Sequence, residues 1–300
     1  KKDKKKDKKN ENKKDKRDTN LAASAAAFVL AGCSNGADDA PRPVFPDAEP
    51  ATQFTRAYSM TESPDGQVRV FAKENGDETW LYEVRRDGKA WGEPVRLEFP
   101  SKSILVGPSF NPVDGTLLFA SDAEMPQWPG RKDLNIWQVE LVDGEWGQPE
   151  PLSGDVNTGA NETMAVVSAD GLMVYTSNKS GSYNLADARR DDEGNWIKQR
   201  DLEEVNDFRT NDHLALTADG RTLFFYSHRA PKIGIVDIWI SSRRENGTWD
   251  APRNPGEPLN SAGIDYGPGL SADGKTLFFS REGDLFQIPV SVVLAGDPDA

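Results

Sequence analysis

The sequence predicts an all-β protein, a β-propeller of about five four-stranded blades, and three observations carry that expectation. The first is a short Asp-Gly turn followed by an apolar run, which occurs five times, with the aspartates at 65, 114, 170, 219 and 273. Successive spacings are 49, 56, 49 and 54 residues, a period that fits one propeller blade per repeat. The second is a further apolar segment in each repeat, closed in the first four by a Gly-containing turn and a tryptophan. The third is composition. With 26 Gly, 20 Pro and eight Trp in 300 residues, the chain suits many short strands joined by turns.

Taken in chain order, residues 1–32 precede the repeats. Ten Lys and Arg17 face only five acidic residues over residues 1–20, a net charge of +6. An uncharged run of twelve residues follows, Leu21 to Gly32, too short at 1.5 Å per residue to span about 30 Å of hydrocarbon. It fits the apolar part of a secretory signal behind a basic n-region. The run ends Leu30-Ala31-Gly32-Cys33, which resembles the lipobox of bacterial lipoproteins. That resemblance implies cleavage before Cys33, acylation of Cys33, and a membrane contact made through the lipid anchor alone. Ser34, standing where an Asp typically marks inner-membrane retention, implies sorting to the outer membrane. Residues 33–52, rich in Ala, Pro and Asp, read as a tether that places the propeller in the periplasm or at the cell surface.

The propeller is expected over residues 53–300, with blades near 53–100, 101–153, 158–204, 207–257 and 262–294. Each Asp-Gly is read as a type I′ hairpin turn, and each following segment (VRVFA, LLFA, MVYTS, LFFYS, LFFS) as a buried strand. Third strands carry Trp80, Trp137, Leu185, Trp239 and Phe286, and the closing turns lead to Trp91, Trp146, Trp196 and Trp249. The fifth repeat stops after its third strand. Residues 42–52 are available to supply the missing outer strand and cover the open edge.

Ser271-Ala-Asp273-Gly274-Lys-Thr-Leu277-Phe-Phe-Ser280, with Asp237-Ile238-Trp239, resembles the TolB-type, WD-repeat-like propeller repeats of bacterial exported proteins. The resemblance spans about residues 53–292. Blades one and two depart from it, by Ala72-Lys73 after the second strand and by the extra residue Val113 before Asp114.

Charge and motif content narrow the function. The total of −13, set against +6 at the start, leaves −19 on residues 33–300, which gives no electrostatic basis for nucleic-acid binding. Cys33 is the only cysteine, so neither a disulfide within the chain nor a multi-cysteine metal site can form. His213 and His228 are the only histidines, without a third ligand at suitable spacing, and no metal or cofactor is expected. No nucleophile elbow, phosphate loop or dinucleotide fingerprint occurs.

A propeller binds at the rim formed by the loops that lead into its innermost strands. Counting eight residues back from each turn aspartate gives the first residue of those strands: Ala57, Val106, Glu162, Asn211 and Asp265. The next position adds Tyr58, Asp212 and Tyr266, with His213 after Asp212. Lys179, Arg229 and Arg281 follow the second strands of blades three to five. The candidate binding arc is therefore Glu162, Asn211, Asp212, His213, Asp265 and Tyr266, faced by Lys179, Arg229 and Arg281. Ion pairing between blades accounts for the same residues without any ligand. The expected function is an envelope-anchored, non-catalytic binding or scaffold propeller that engages a protein, peptide or glycan. One alternative is a glycan hydrolase using Glu162, Asp212 and Asp265, whose carboxylates would stand about 5–5.5 Å apart for retention or about 6.5–9.5 Å apart for inversion. Another is a purely structural or sensory domain.

Overall fold

The computed structural model describes residues 39–45 and 54–295, and these form five antiparallel blade sheets around a channel, with one further two-stranded hairpin. The basic run, the signal segment and Cys33 lie outside the described residues, as do residues 34–38 and 46–52 of the tether region and residue 53. The innermost strands are Ala57–Glu62, Leu105–Phe110, Glu162–Val167, Asn211–Leu216 and Asp265–Leu270. Each packs on the innermost strand of the next blade, and the fifth packs on the first, which closes the ring.

Second strands are Val68–Asn75, Leu117–Ser121, Met173–Ser177, Thr222–Ser227 and Thr276–Arg281. That of blade one is interrupted by Arg69, which is paired with Glu62 at 2.7 Å, but those of blades two to five carry apolar runs without alternation because both faces are buried between blades. Phe224 and Phe225, consecutive and fully buried, show this. Phe224 packs with Leu277 and Phe279 of blade five, and Phe225 with Val174 and Leu185 of blade three. Third strands are Glu78–Asp87, Asn135–Val139, Asn184–Arg190, Asp237–Ser242 and Asp284–Pro289, and they carry Trp80, Trp137, Leu185, Trp239 and Phe286 as expected.

The outer strands depart from the expected pattern. Trp196 opens a full fourth strand, Trp196–Asp201. Trp91 and Trp146 instead close small hairpins at the ends of third strands, pairing with Arg86 and Leu141, and the outer strands come later, at Val95–Arg96 and Glu150–Pro151. Blade four has only isolated bridges in this position, including Arg243 to Trp249. Blade five takes its outer strand from Arg42–Pro43, antiparallel to Asp284–Pro289, with the Val44 N–H donating to the Leu285 carbonyl at 3.1 Å. Part of the segment read as a tether is thus built into the fold, and the ring is closed by N-terminal residues.

The Asp-Gly turns are not type I′. Only the glycine of each pair is left-handed, as in Gly66 (φ 69°) and Gly274 (φ 68°). In blade one the Gly66 N–H donates to the Ser63 carbonyl at 2.7 Å, and Ser63 N–H reaches past the turn to Val68 at 2.8 Å. The aspartate stays right-handed because its carboxylate accepts the N–H two residues on, as Asp65 does from Gln67 at 3.0 Å, while Ser63 Oγ donates to it at 2.6 Å. The extra residue Val113 also shifts the count in blade two, so its innermost strand begins at Leu105, paired with Ser121, and not at Val106.

Candidate functional site

All five innermost strands carry a bulge, one residue more than the second strand beside them. Four bulges place a residue in the left-handed region: Ser59 (φ 51°), Gly107 (φ 60°), His213 (φ 45°) and Gly267 (φ 62°). Glycine suits this site because blades crowd there; a Cβ on Gly267 would stand 2.8 Å from the Ser59 nitrogen. Blades one and four keep side chains at the same position, against the local backbone preference. Ser59 Oγ and His213 Nδ1 are 2.9 Å apart, which joins two blades that are not neighbours in the ring and so crosses the channel.

Around that bond stand three tyrosines. Tyr58 and Tyr226 have ring centroids 5.3 and 5.1 Å from His213, and Tyr266 lies 6.0 Å away. Burial pushes the phenols of Tyr58, Tyr226 and Tyr266 up, and for Tyr58 and Tyr226 the charge of Asp212 adds to the effect. Burial pushes the His213 imidazole below its ordinary value, with Asp212 opposing it.

Most of the predicted arc serves its own loops. Glu162 is fully buried, and its carboxylate accepts from Thr158 N–H at 2.9 Å, Thr158 Oγ1 at 2.8 Å and Ser177 Oγ at 2.7 Å. Asp265, also fully buried, accepts from Arg281 Nε at 2.6 Å and from the Ser261 N–H and hydroxyl at 2.6 and 2.7 Å. Asn211 Oδ1 accepts from Ser227 Oγ and from buried Arg229, whose guanidinium also reaches the Val205 carbonyl at 2.6 Å. The rule is the same in blades three to five: the side chain of the first innermost-strand residue binds the end of the second strand and the loop before its own strand, as Asn211 Nδ2 does by donating to the Arg209 carbonyl at 3.0 Å. Lys179 and His228 stay exposed on the rim. Asp212, His213 and Tyr266 are the arc residues that turn toward the channel and meet Tyr58 and Tyr226.

A cavity of about 280 Å³ on the Asp-Gly side is lined by Met60, Ser109, Met164, Leu214 and Gly269 from the five innermost strands.

Sequence reasoning missed a second repeated device. Asn157, Asn206 and Asn260 each use their side-chain amide like a strand partner, accepting from and donating to Ile136, Leu185 and Ile238 at 2.7–2.9 Å. The signal was present: Val156-Asn157, Val205-Asn206 and Leu259-Asn260 each lie five residues before Glu162, Asn211 and Asp265.

No protein-family model matches the chain, and no curated protein sequence matches it. Solved structures do. A gluconolactonase from Xanthomonas campestris is similar over 84% of this chain and 94% of its own, at 16% identity and a TM-score of 0.52. A sucrose-6-phosphate hydrolase from Lactobacillus gasseri is similar over 74% of this chain and 52% of its own, at 11% identity and a TM-score of 0.51. TolB from Acinetobacter baumannii is also among the neighbours, over 78% of this chain and 54% of its own, at 16% identity and a TM-score of 0.46. At such identities the likeness is one of fold. The chain is a five-bladed β-propeller.

Proposed function

We propose that the chain is a non-catalytic binding propeller of the bacterial envelope, held to the membrane by a lipid on Cys33, and that it engages its partner at the rim above Asp212 and His213. TolB-like repeat motifs and the lipobox-like Leu30–Cys33 support the envelope setting. One observation favours binding over hydrolysis. Of the three carboxylates a hydrolase would use, Glu162 and Asp265 already have both oxygens engaged in holding their own loops. Asp212 alone keeps an oxygen without a protein donor among the described residues.

Affinity capture from envelope extracts tests this reading. The chain, a rim variant (Lys179→Glu with His228→Ala) and a turn-face variant (Lys275→Glu) are compared. Loss of a captured partner with the rim variant alone is the expected result, and equal capture by all three would move the surface elsewhere. Glycan hydrolysis is kept as a second reading because burial pushes the Glu162 carboxyl up, the shift a general acid needs. Release of sugar from envelope polysaccharides, abolished by Glu162→Gln, would establish it in place of the first.

A further inference from the structure

The rim side of the channel carries a wall of rings drawn from three blades. Tyr266 and Tyr58 have centroids 5.5 Å apart, Tyr58 and His213 5.3 Å, and His213 and Tyr226 5.1 Å. Asp212 adjoins this wall at its blade-four end, next to His213 in sequence and opposite Tyr226 across the strand pair. The residue is 7% exposed. Its Oδ1 accepts from Thr163 Oγ1 and from the His213 N–H, both at 2.8 Å. Its Oδ2 receives no hydrogen bond from any described residue, and no described Lys or Arg forms an ion pair with it.

A largely buried carboxylate with a free oxygen and no counter-ion is costly, and proteins normally pair or neutralise such a charge. Neighbouring groups do not do so here. Arg56, near Tyr266, is paired with Glu74 at 2.8 Å. His213, bonded through Nδ1 to Ser59, is held toward its neutral form by burial. The neighbouring side chains are aromatic rings, whose faces attract cations through their quadrupoles, and the acidic body draws cations toward it.

We propose that Asp212 and the Tyr58–His213–Tyr226 wall bind an organic ammonium group carried by the partner. The proposal rests on the binding role assigned to the rim and narrows it to a cationic ligand. The ammonium places its charge on Asp212 Oδ2 and its methylene or methyl groups against the rings. A neutral sugar hydroxyl could donate to Oδ2 but would leave the carboxylate charge uncompensated.

Titration calorimetry on the full chain tests this with choline and n-butylammonium, which separate a quaternary headgroup from a lysine-like amine, and with 3,3-dimethylbutan-1-ol, the neutral isostere of choline. At least one cation is expected to bind about tenfold or more tightly than the isostere, a margin in keeping with a desolvated cation–π and charge contact. Asp212→Asn keeps the Oδ1 acceptor for Thr163 and His213, so the fold is retained, and it should remove that preference. Tyr226→Leu should weaken the cations while leaving Asp212 in place. The proposal is overturned if neither cation outbinds the isostere, or if Asp212→Asn binds them as the native chain does. Envelope capture that persists in Asp212→Asn alongside failed cation binding would sink this inference and leave the rim-binding reading standing.

Discussion

Ser59 Oγ and His213 Nδ1 meet at 2.9 Å and tie blade one to blade four across the channel, at two positions where the backbone is left-handed. Blades two and five have glycine at the same bulge. Ser59→Ala keeps the backbone cost and loses the bond, so it should destabilise by about 1 kcal/mol. Ser59→Gly loses the bond but relaxes the backbone, and should lie closer to the native chain. Denaturant midpoints of the two variants check the order.

Gly267→Ala should be worse than either. Its Cβ would stand 2.8 Å from the Ser59 nitrogen in addition to the left-handed penalty of about 1–2 kcal/mol. The loss should appear in thermal melting without a change in secondary-structure content.

Breaking the Asp265–Arg281 pair tests whether the arc is structural. Asp265 is fully buried, so Arg281→Met leaves an uncompensated charge and should cost about 3–5 kcal/mol. The double variant Asp265→Asn/Arg281→Met should recover part of that loss. Losses of Asp265→Asn and Arg281→Met that simply add in the double variant would show that the two groups do not couple.

The turn aspartates link stability to acid. The Ser168 hydroxyl is the first cause holding the Asp170 carboxyl at about 2, below its ordinary 3.8, with Arg189 helping. A carboxyl depressed by folding contributes stability above its unfolded value and loses it as pH falls through the folded one. Asp170 should therefore stabilise fully above about pH 4 and weaken toward pH 2, and Asp65 and Asp273, also held below their ordinary value by serine hydroxyls, should act in the same direction. Ser168→Ala should move the Asp170 titration upward, as followed by carboxyl NMR.

The blades were legible because their signals are local. Asp65-Gly66, the apolar run Leu223–Tyr226 and Trp239 each act within one hairpin, so their spacing reports the repeat directly. The turn type was misjudged because an Asp-Gly pair permits two left-handed residues but does not require them; Ser63 and Gln67 hold Asp65 on the right-handed side. The partners within the arc are hidden for a different reason. Asp265 and Arg281 look like facing halves of a funnel in sequence, yet they are direct partners on adjacent strands of one sheet. Ser59 and His213 are 154 residues apart and belong to different repeats, so nothing local joins them. Their meeting needs the ring itself.

The outer strand of the last blade comes from Arg42–Pro43, and Gln287 Nε2 reaches back to the Pro43 carbonyl across 244 residues of chain. A growing chain therefore emerges as an open strip of blades with an unpaired edge until nearly all of it is free. The contacts that finish the structure are among its most distant in sequence, a topology that folds slowly and leaves edges exposed to other chains meanwhile. Blocking Arg42–Pro43 before the last blade arrives would trap that strip, which makes the start of the folded chain the control point of its own assembly.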